Sequence, residues 1–549
     1  MEQILNDLKS NKYKVLFLFI LSFYSLVLSR FGLENFDTGY IPSFSWRIVN
    51  GQSVYQDFIY KGPPVTLYFH ALFMKLLPES GQFFWIRILN YLLFASQVYL
   101  LVSAFDNIYN LSRYRIEKWG VIAVGFIVSL LNFSPYPWPT TDGLLFAAIA
   151  FFLVSRLEKF SFYRLFLIAL CSVLAALTKQ SFYLVPFFFL FWILVKFNFR
   201  TALLFLMLII FWVIVYFSLV TNITSFDNFI AQTTGETHLH DLFSTGIHNY
   251  IFIPITWFVT VSLFLLVFTW IYLKVKGKSI DVSLPFFKWT AIVVFFLAIF
   301  FCFSKEFLIA SRIAFVAVVI ALFYRLEFRL VNLSKVAPIA VTLGIAWSSS
   351  ISLGYQFPIL FASGIILSFL ILVGEDLKKY SKYYLWIAVP VCLIAFSYNY
   401  RPYRETTIPN LKYSLESVSP KLKYIKTNKS NFEKYSELKK LIEKYGENFI
   451  VAPNIPMANY LFSHHSELPA DWLIETEVAR RQKMFIRLAA SKKNFVFLEK
   501  SFLQKEECMP EKKENFSSIA AFIYNKFRLI EETNHFLIYN SISKNEKLP

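Results

Sequence analysis

The feature that most constrains this chain is a succession of apolar runs, each close to the roughly 20 residues a helix needs to cross a hydrocarbon core. They fall near Tyr13–Ser29 and near 83–103, 119–133, 141–156, 164–178, 182–195 and 201–221. Six more follow near 250–273, 288–303, 307–324, 336–353, 357–373 and 383–399. Hydrophobic residues make up 56% of the 549 positions and charged residues only 16%, so little polar surface is left to cover the runs. A single hydrophobic core stops growing near ~250–300 residues, so the excess apolar surface must meet lipid. The pattern predicts an all-α polytopic membrane protein with about thirteen transmembrane helices over residues 1–400.

Charge sets the orientation. With the N-terminus inside, Arg113/Arg115/Lys118, Arg156/Lys159/Arg164, Lys196/Arg200, Lys274/Lys276/Lys278, Arg325/Arg329 and Lys378/Lys379/Lys382 all fall in turns on one side. The opposite turns carry few cations, among them Arg47, Lys61, Lys179 and Lys305. Cytoplasmic loops are the cation-rich ones, which predicts an inside N-terminus and a tail outside. The same placement explains the net charge of +18 without nucleic acid as a partner. No signal-peptide cleavage pattern precedes the first run, which reads as a retained span. Cys171, Cys302 and Cys392 lie in apolar runs and Cys508 in the polar tail, so they read as small packing residues.

Three outside segments stand out: a first loop over 31–82, a polar loop Asn222–Asn249, and a tail over 401–549 of soluble composition. The tail reads as a small extracytoplasmic α/β domain. A helix over Tyr435–Tyr445 puts Leu438, Leu441 and Ile442 on one face and stops at Gly446. Strands fit Phe449–Ala452, Asn494–Leu498 and His535–Tyr539, with a helix over Ile519–Lys526 before the last. No internal repeat suggests a transporter built from two related halves.

The first loop carries the densest set of signals. Phe36-Asp37-Thr38-Gly39-Tyr40 leads into an amphipathic run Tyr40–Asn50, with Ile41, Phe44, Ile48 and Val49 on one side, and Asn50-Gly51 closes it. Pro63-Pro64 opens a second run through Leu77, proline being tolerated where a helix start leaves its N–H groups unpaired. Both runs are apolar enough to lie flat at the interface, gathering Asp37, Asp57 and Lys61 over the bundle.

Asp37-Thr38-Gly39-Tyr40, then Gly51-Gln52-Ser53-Val54-Tyr55-Gln56-Asp57-Phe58, then Lys61-Gly62-Pro63-Pro64 resemble, in order and spacing, the loop of the GT-C superfamily of integral-membrane glycosyltransferases. That superfamily includes protein O-mannosyltransferases and the aminoarabinose transferases that act on lipid A. Thr38 stands where the pattern has a second acid, and Gly62 separates Lys61 from the prolines. The resemblance implies a GT-C fold in a bacterial cytoplasmic membrane with a periplasmic active site. It also implies inverting transfer of a sugar from a polyprenyl-phosphate donor to a glycan, lipid or protein acceptor of the cell envelope.

Such a reaction needs a carboxylate to take the acceptor's proton, help worth roughly 10²–10⁴-fold, and a cation to meet the leaving phosphate. On this reading Asp37 is the general base, against the plainer role of an N-cap. Lys61 is a phosphate ligand, against a lysine snorkelling at the interface. Tyr40 belongs to the same motif, and Asp57 either orients the loop or caps its turn. Asp142 is a second carboxylate or an N-cap beside Thr141. Lys179 and Gln180, in a nearly continuous apolar stretch, are donor-phosphate ligands, since an intramembrane charge is costly without a partner. Arg312 either binds phosphate or pairs with Glu306. Glu236, His238, His240, Asp241 and His248 invite a divalent metal without matching a strong motif, so the cofactor stays open. Two other classes compete: a transporter or flippase of a lipid-linked glycan, with polar groups at mid-membrane and an inside gate, and a non-catalytic subunit of an envelope complex.

Overall fold

A computed structural model describes residues 12–130, 134–233, 246, 272, 283–301, 307–326, 333–351, 362–377, 381–446, 448–466, 468–474, 477–478, 481–491, 495–501 and 518–541. Among the described residues the molecule is mostly helical, with its strands toward the C-terminus. The helices up to residue 400 are α1 (Lys12–Leu26), α2 (Asp37–Val49), α3 (Val65–Leu76), α4 (Gln82–Tyr109), α5 (Lys118–Leu130), α6 (Pro139–Ser155), α7 (Phe162–Ala176) and α8 (Val185–Lys196). They continue as α9 (Phe199–Ile223), α10 (Phe226–Thr233), α11 (Ser283–Phe301), α12 (Phe307–Leu326), α13 (Leu333–Ser350), α14 (Ala362–Leu377) and α15 (Ser381–Asn399). Each apolar run read from the sequence carries a helix, except 250–273, of which all but Tyr272 lies outside the described residues.

Helix and span are not the same thing. Among the described residues three segments, Lys12–Arg30, Gln82–Tyr109 and Phe199–Ile223, are long and apolar enough to cross a membrane. Others are shorter: the 13 residues of α5 extend only ~20 Å at ~1.5 Å per residue, short of a hydrocarbon core of ~30 Å. Proline sets some of these limits. Pro135, Pro137 and Pro139 break the chain between α5 and α6, and Pro139 sits in the first turn of α6, where it is tolerated.

The helices pack around one large apolar core that includes Leu101, Phe105, Phe126, Phe151 and Ile168. Helix α4 is its axis, with α6, α5 and α1 laid against it. Outward faces are apolar as well: α9 buries Phe205, Leu208 and Ile209 but exposes Met207, Ile210, Phe211 and Ile214.

Past residue 400 come β1 (Tyr413–Ser414), β2 (Lys426–Thr427), α16 (Lys429–Tyr445), β3 (Phe449–Ala452), α17 (Ala458–Leu461), α18 (Gln482–Ser491), β4 (Phe495–Glu499), α19 (Ser518–Lys526), β5 (Arg528–Glu532) and β6 (Phe536–Asn540). Strands β3, β4, β6 and β5 form one sheet in that order, β3 parallel to β4 and the rest antiparallel. Helix α16 ends at Gly446, whose φ of +80° suits glycine.

One face of this sheet, through Phe449, Val451, Phe497 and Ile538, shares a core with Leu438 and Leu441 of α16. Leu33, Trp46, Met74 and Phe83 join it from the first loop and the start of α4. Helix α2 therefore differs from an interfacial helix lying flat. Every residue from Thr38 to Arg47 is buried, because the tail covers the side that solvent or lipid headgroups would otherwise meet. Gly39 marks the closest approach: a Cβ there would stand 2.6 Å from the Cβ of Met457.

Candidate functional site

Between the bundle and the tail runs a layer of polar side chains, and most of the residues singled out by sequence lie in it. Its acidic end is built on the start of α2. Asp37 occupies the first turn of that helix, and its Oδ2 accepts from Arg404 Nη1 at 2.8 Å and from the Tyr136 hydroxyl at 3.4 Å. Glu34, three residues earlier and just ahead of the helix, places Oε1 3.9 Å from the same guanidinium. Thr38 binds back to that residue: its N–H donates to Glu34 Oε2 (3.2 Å) and its hydroxyl to the Glu34 carbonyl (2.6 Å). The second carboxylate beside Asp37 thus comes from Glu34, while Thr38 holds it in place. Burial, and then the charge of Asp37, push the Glu34 carboxyl up to about 7, against the opposing pull of Arg404 and two backbone N–H groups.

Arg404 is presented by an unusual backbone. Tyr403 and Arg404 have φ of 48° and 56°, a left-handed conformation that costs a non-glycine residue ~1–3 kcal/mol. The surroundings enforce it. Tyr403 N–H donates to Ser134 Oγ (2.9 Å) and its hydroxyl to the Pro135 carbonyl (3.0 Å). Its ring lies under the buried guanidinium of Arg87, 3.5 Å from carbon to ring centroid. Arg87 in turn donates to the carbonyls of Ser29 (3.0 Å) and Gly32 (2.8 Å).

The cationic end lies beyond Tyr40. Its hydroxyl donates to Glu477 Oε2 at 2.7 Å, and Lys61 Nζ takes the other oxygen of that carboxylate. Gln180 donates to the Lys61 carbonyl (2.6 Å), fixing the loop against the turn before α8. Lys179 points inward, its Nζ donating to the Ile351 carbonyl (3.0 Å) and to Thr140 Oγ1 (3.3 Å). Among the described residues no carboxylate pairs with it. Burial, and then the charge of Lys61, lower its affinity for a proton. Asp142, in the first turn of α6, does not cap that helix; its two oxygens lie 3.1 and 3.2 Å from His70 Nε2 of α3, both side chains buried.

Asp57 is exposed and accepts from the Ser53 N–H at 2.6 Å, which makes it a turn cap. Arg312 is buried in α12, which packs mainly on α11 and α14; Glu306 lies outside the described residues. So do Glu236, His238, His240, Asp241 and His248. Among the described residues no group of three or more His, Cys, Asp or Glu side chains is placed to hold a metal ion.

Sequence reading missed Glu34, Arg404, Glu477 and His70. Glu34 left one clue, standing three residues before Asp37, just ahead of the helix start. Arg404 is 367 positions from Asp37 and Glu477 is 416 from Lys61, so nothing local joins them. The chain matches no family model, no curated protein and no solved structure.

Proposed function

We propose that this chain is a polytopic membrane enzyme of GT-C type, an inverting glycosyltransferase. It moves a sugar from a polyprenyl phosphate to an acceptor at the membrane surface that faces the tail. The carrying observation is one layer with carboxylates at one end, Glu34 and Asp37, and lysines at the other, Lys61 and a half-buried Lys179 that has no carboxylate partner among the described residues. A proton acceptor and an anion site are the two things such a transfer needs. Asp37 is the base: its side chain is 19% exposed, enough for an incoming hydroxyl or amine to reach. Burial and the neighbouring charge of Asp37 raise the Glu34 carboxyl to about 7. Arg404 orients the Asp37 carboxylate. Lys179 meets the departing lipid phosphate, with Lys61 beside it once Glu477 yields. The apolar outer faces of α1 and α9 support the membrane setting, and the cation-rich turns support an inside N-terminus.

The test is genetic. Cells lacking the chain and complemented with Asp37→Asn, inserted at normal level, should accumulate polyprenyl-phosphate sugar and lose surface glycan as the deletion does. The expected fall in transfer is roughly 10²–10⁴-fold. Wild-type glycan from that variant rejects Asp37 as the base.

A further inference from the structure

A second polar feature lies outside this layer, where α1 meets the tail. Past α1 the chain turns through Arg30 and pairs with β2: Phe31 bridges Lys426, and the Gly32 N–H donates to the Lys426 carbonyl at 2.8 Å. Gly32 is required there, since its φ is +85° and a Cβ would stand 2.3 Å from the Pro402 carbonyl oxygen. This pairing sets Arg30 and Lys426 on the walls of one groove of about 300 Å³ between the end of α1 and the β1–β2 ribbon. Both are exposed, and neither has an ion-pair partner among the described residues; Arg30 lies over the Phe84 ring. Glu416 also lines the groove, but Lys423 stands 3.7 Å from its carboxylate.

Two neighbouring features fix the depth of this groove. Below it α1 exposes Phe19, Phe23 and Leu26, followed by Val27, a strip of acyl-chain character. Around it Trp85, Tyr413 and Tyr424 are exposed, and aromatic side chains with one polar end concentrate where hydrocarbon gives way to headgroups. Cations at that level attract anionic headgroups. We infer that the groove binds the phosphodiester headgroup of an anionic phospholipid, its phosphate between Arg30 and Lys426 and its acyl chains along Phe23, Leu26 and Val27. The lipid would lock the tail onto the bundle at the membrane surface. This inference rests on α1 lying in the bilayer and not on the transfer chemistry, so an inactive Asp37→Asn leaves it intact.

The full chain is reconstituted in phosphatidylcholine nanodiscs doped with phosphatidylglycerol, then extracted and examined by native mass spectrometry. Phosphatidylglycerol should be retained over phosphatidylcholine. Arg30→Gln with Lys426→Gln should cut its retention roughly 25-fold, about fivefold for each cation, while the melting temperature holds because both side chains are exposed. Lys426→Gln alone gives the single-cation effect if the pair of substitutions impairs folding. Lys429→Gln, a cation outside the groove and paired with Glu433, should change nothing. Retention that survives loss of both cations overturns the site. Displacement of the lipid by inorganic phosphate alone also overturns it, because the groove would then serve a soluble anion.

Discussion

Two arginine–aspartate pairs tie the first loop to the tail, and they are opposites. In Arg47–Asp471 the side chains are 2% and 1% exposed and the contact is two-pronged, at 2.6 and 2.8 Å. Arg47 also donates to the Leu468 carbonyl, and Asn459 donates to Asp471, so the polar capacity of the pair is largely taken up. In Arg404–Asp37 the side chains are 51% and 19% exposed, with a second carboxylate sharing the guanidinium. A sealed pair cannot change partners without exposing a buried charge, so it positions. An open pair can trade a contact for water or a ligand, so it can react. The first is a clamp that keeps the second in register, as a precise site needs rigid support beside it.

The clamp gives the largest effect. Asp471→Ala leaves the Arg47 guanidinium buried without its carboxylate, a loss of ~3–5 kcal/mol. The thermal unfolding temperature of the purified protein should fall markedly, and limited proteolysis should release the tail from the bundle. A variant that melts with the wild type would mean that the two pairs differ in exposure but not in role.

That contrast was out of reach of the sequence, for physical reasons. Apolar runs foretold α1, α4 to α9 and α11 to α15, because helix period and hydrophobicity are local properties. Strands β3, β4 and β6 were legible as short apolar runs, whereas β5 is almost wholly exposed and carries no such signal. Helix α2 was read from Tyr40, and its true start at Asp37 put that carboxylate in the first turn, with Glu34 just ahead of the helix. Asp37, Tyr40, Lys61, Asp142, Lys179 and Gln180 were all singled out, yet the partners that define what they do were not. Glu477, Arg404 and Asp471 sit in a polar tail where every acid and base looks alike until tertiary packing selects one. The left-handed backbone at Tyr403 and Arg404 had no sign either, since neither residue is glycine.

A middle-sized effect should come from Glu34. Its proton is held up to about pH 7 in the folded protein, against 4.5 for an ordinary glutamate. Between those values the folded state keeps a proton that the unfolded chain has released, so the group's contribution to stability is complete at low pH. It is lost as pH rises through about 7, when two carboxylates must share one buried corner. The melting temperature should therefore drop by a few degrees from about pH 4.5 to about pH 7 and level off above. Glu34→Gln, which cannot ionise, should remove that drop. A slope unchanged by the substitution would place the titrating group elsewhere.

The smallest change in stability belongs to the open pair itself. Arg404 is half exposed, and exposed ion pairs contribute ~0–1 kcal/mol. Near about pH 6, where Glu34 still holds its proton, Arg404→Gln should melt within a degree or two of the wild type, in contrast to Asp471→Ala. Its signature lies in the pH profile. The guanidinium opposes the rise in the Glu34 carboxyl, so removing it should move the midpoint of the melting-temperature curve to higher pH. Combining Arg404→Gln with Glu34→Gln should remove the part of the curve that Glu34 contributes. If Arg404→Gln instead destabilises as much as Asp471→Ala at every pH, both pairs are clamps, and the acidic end of the layer is structural.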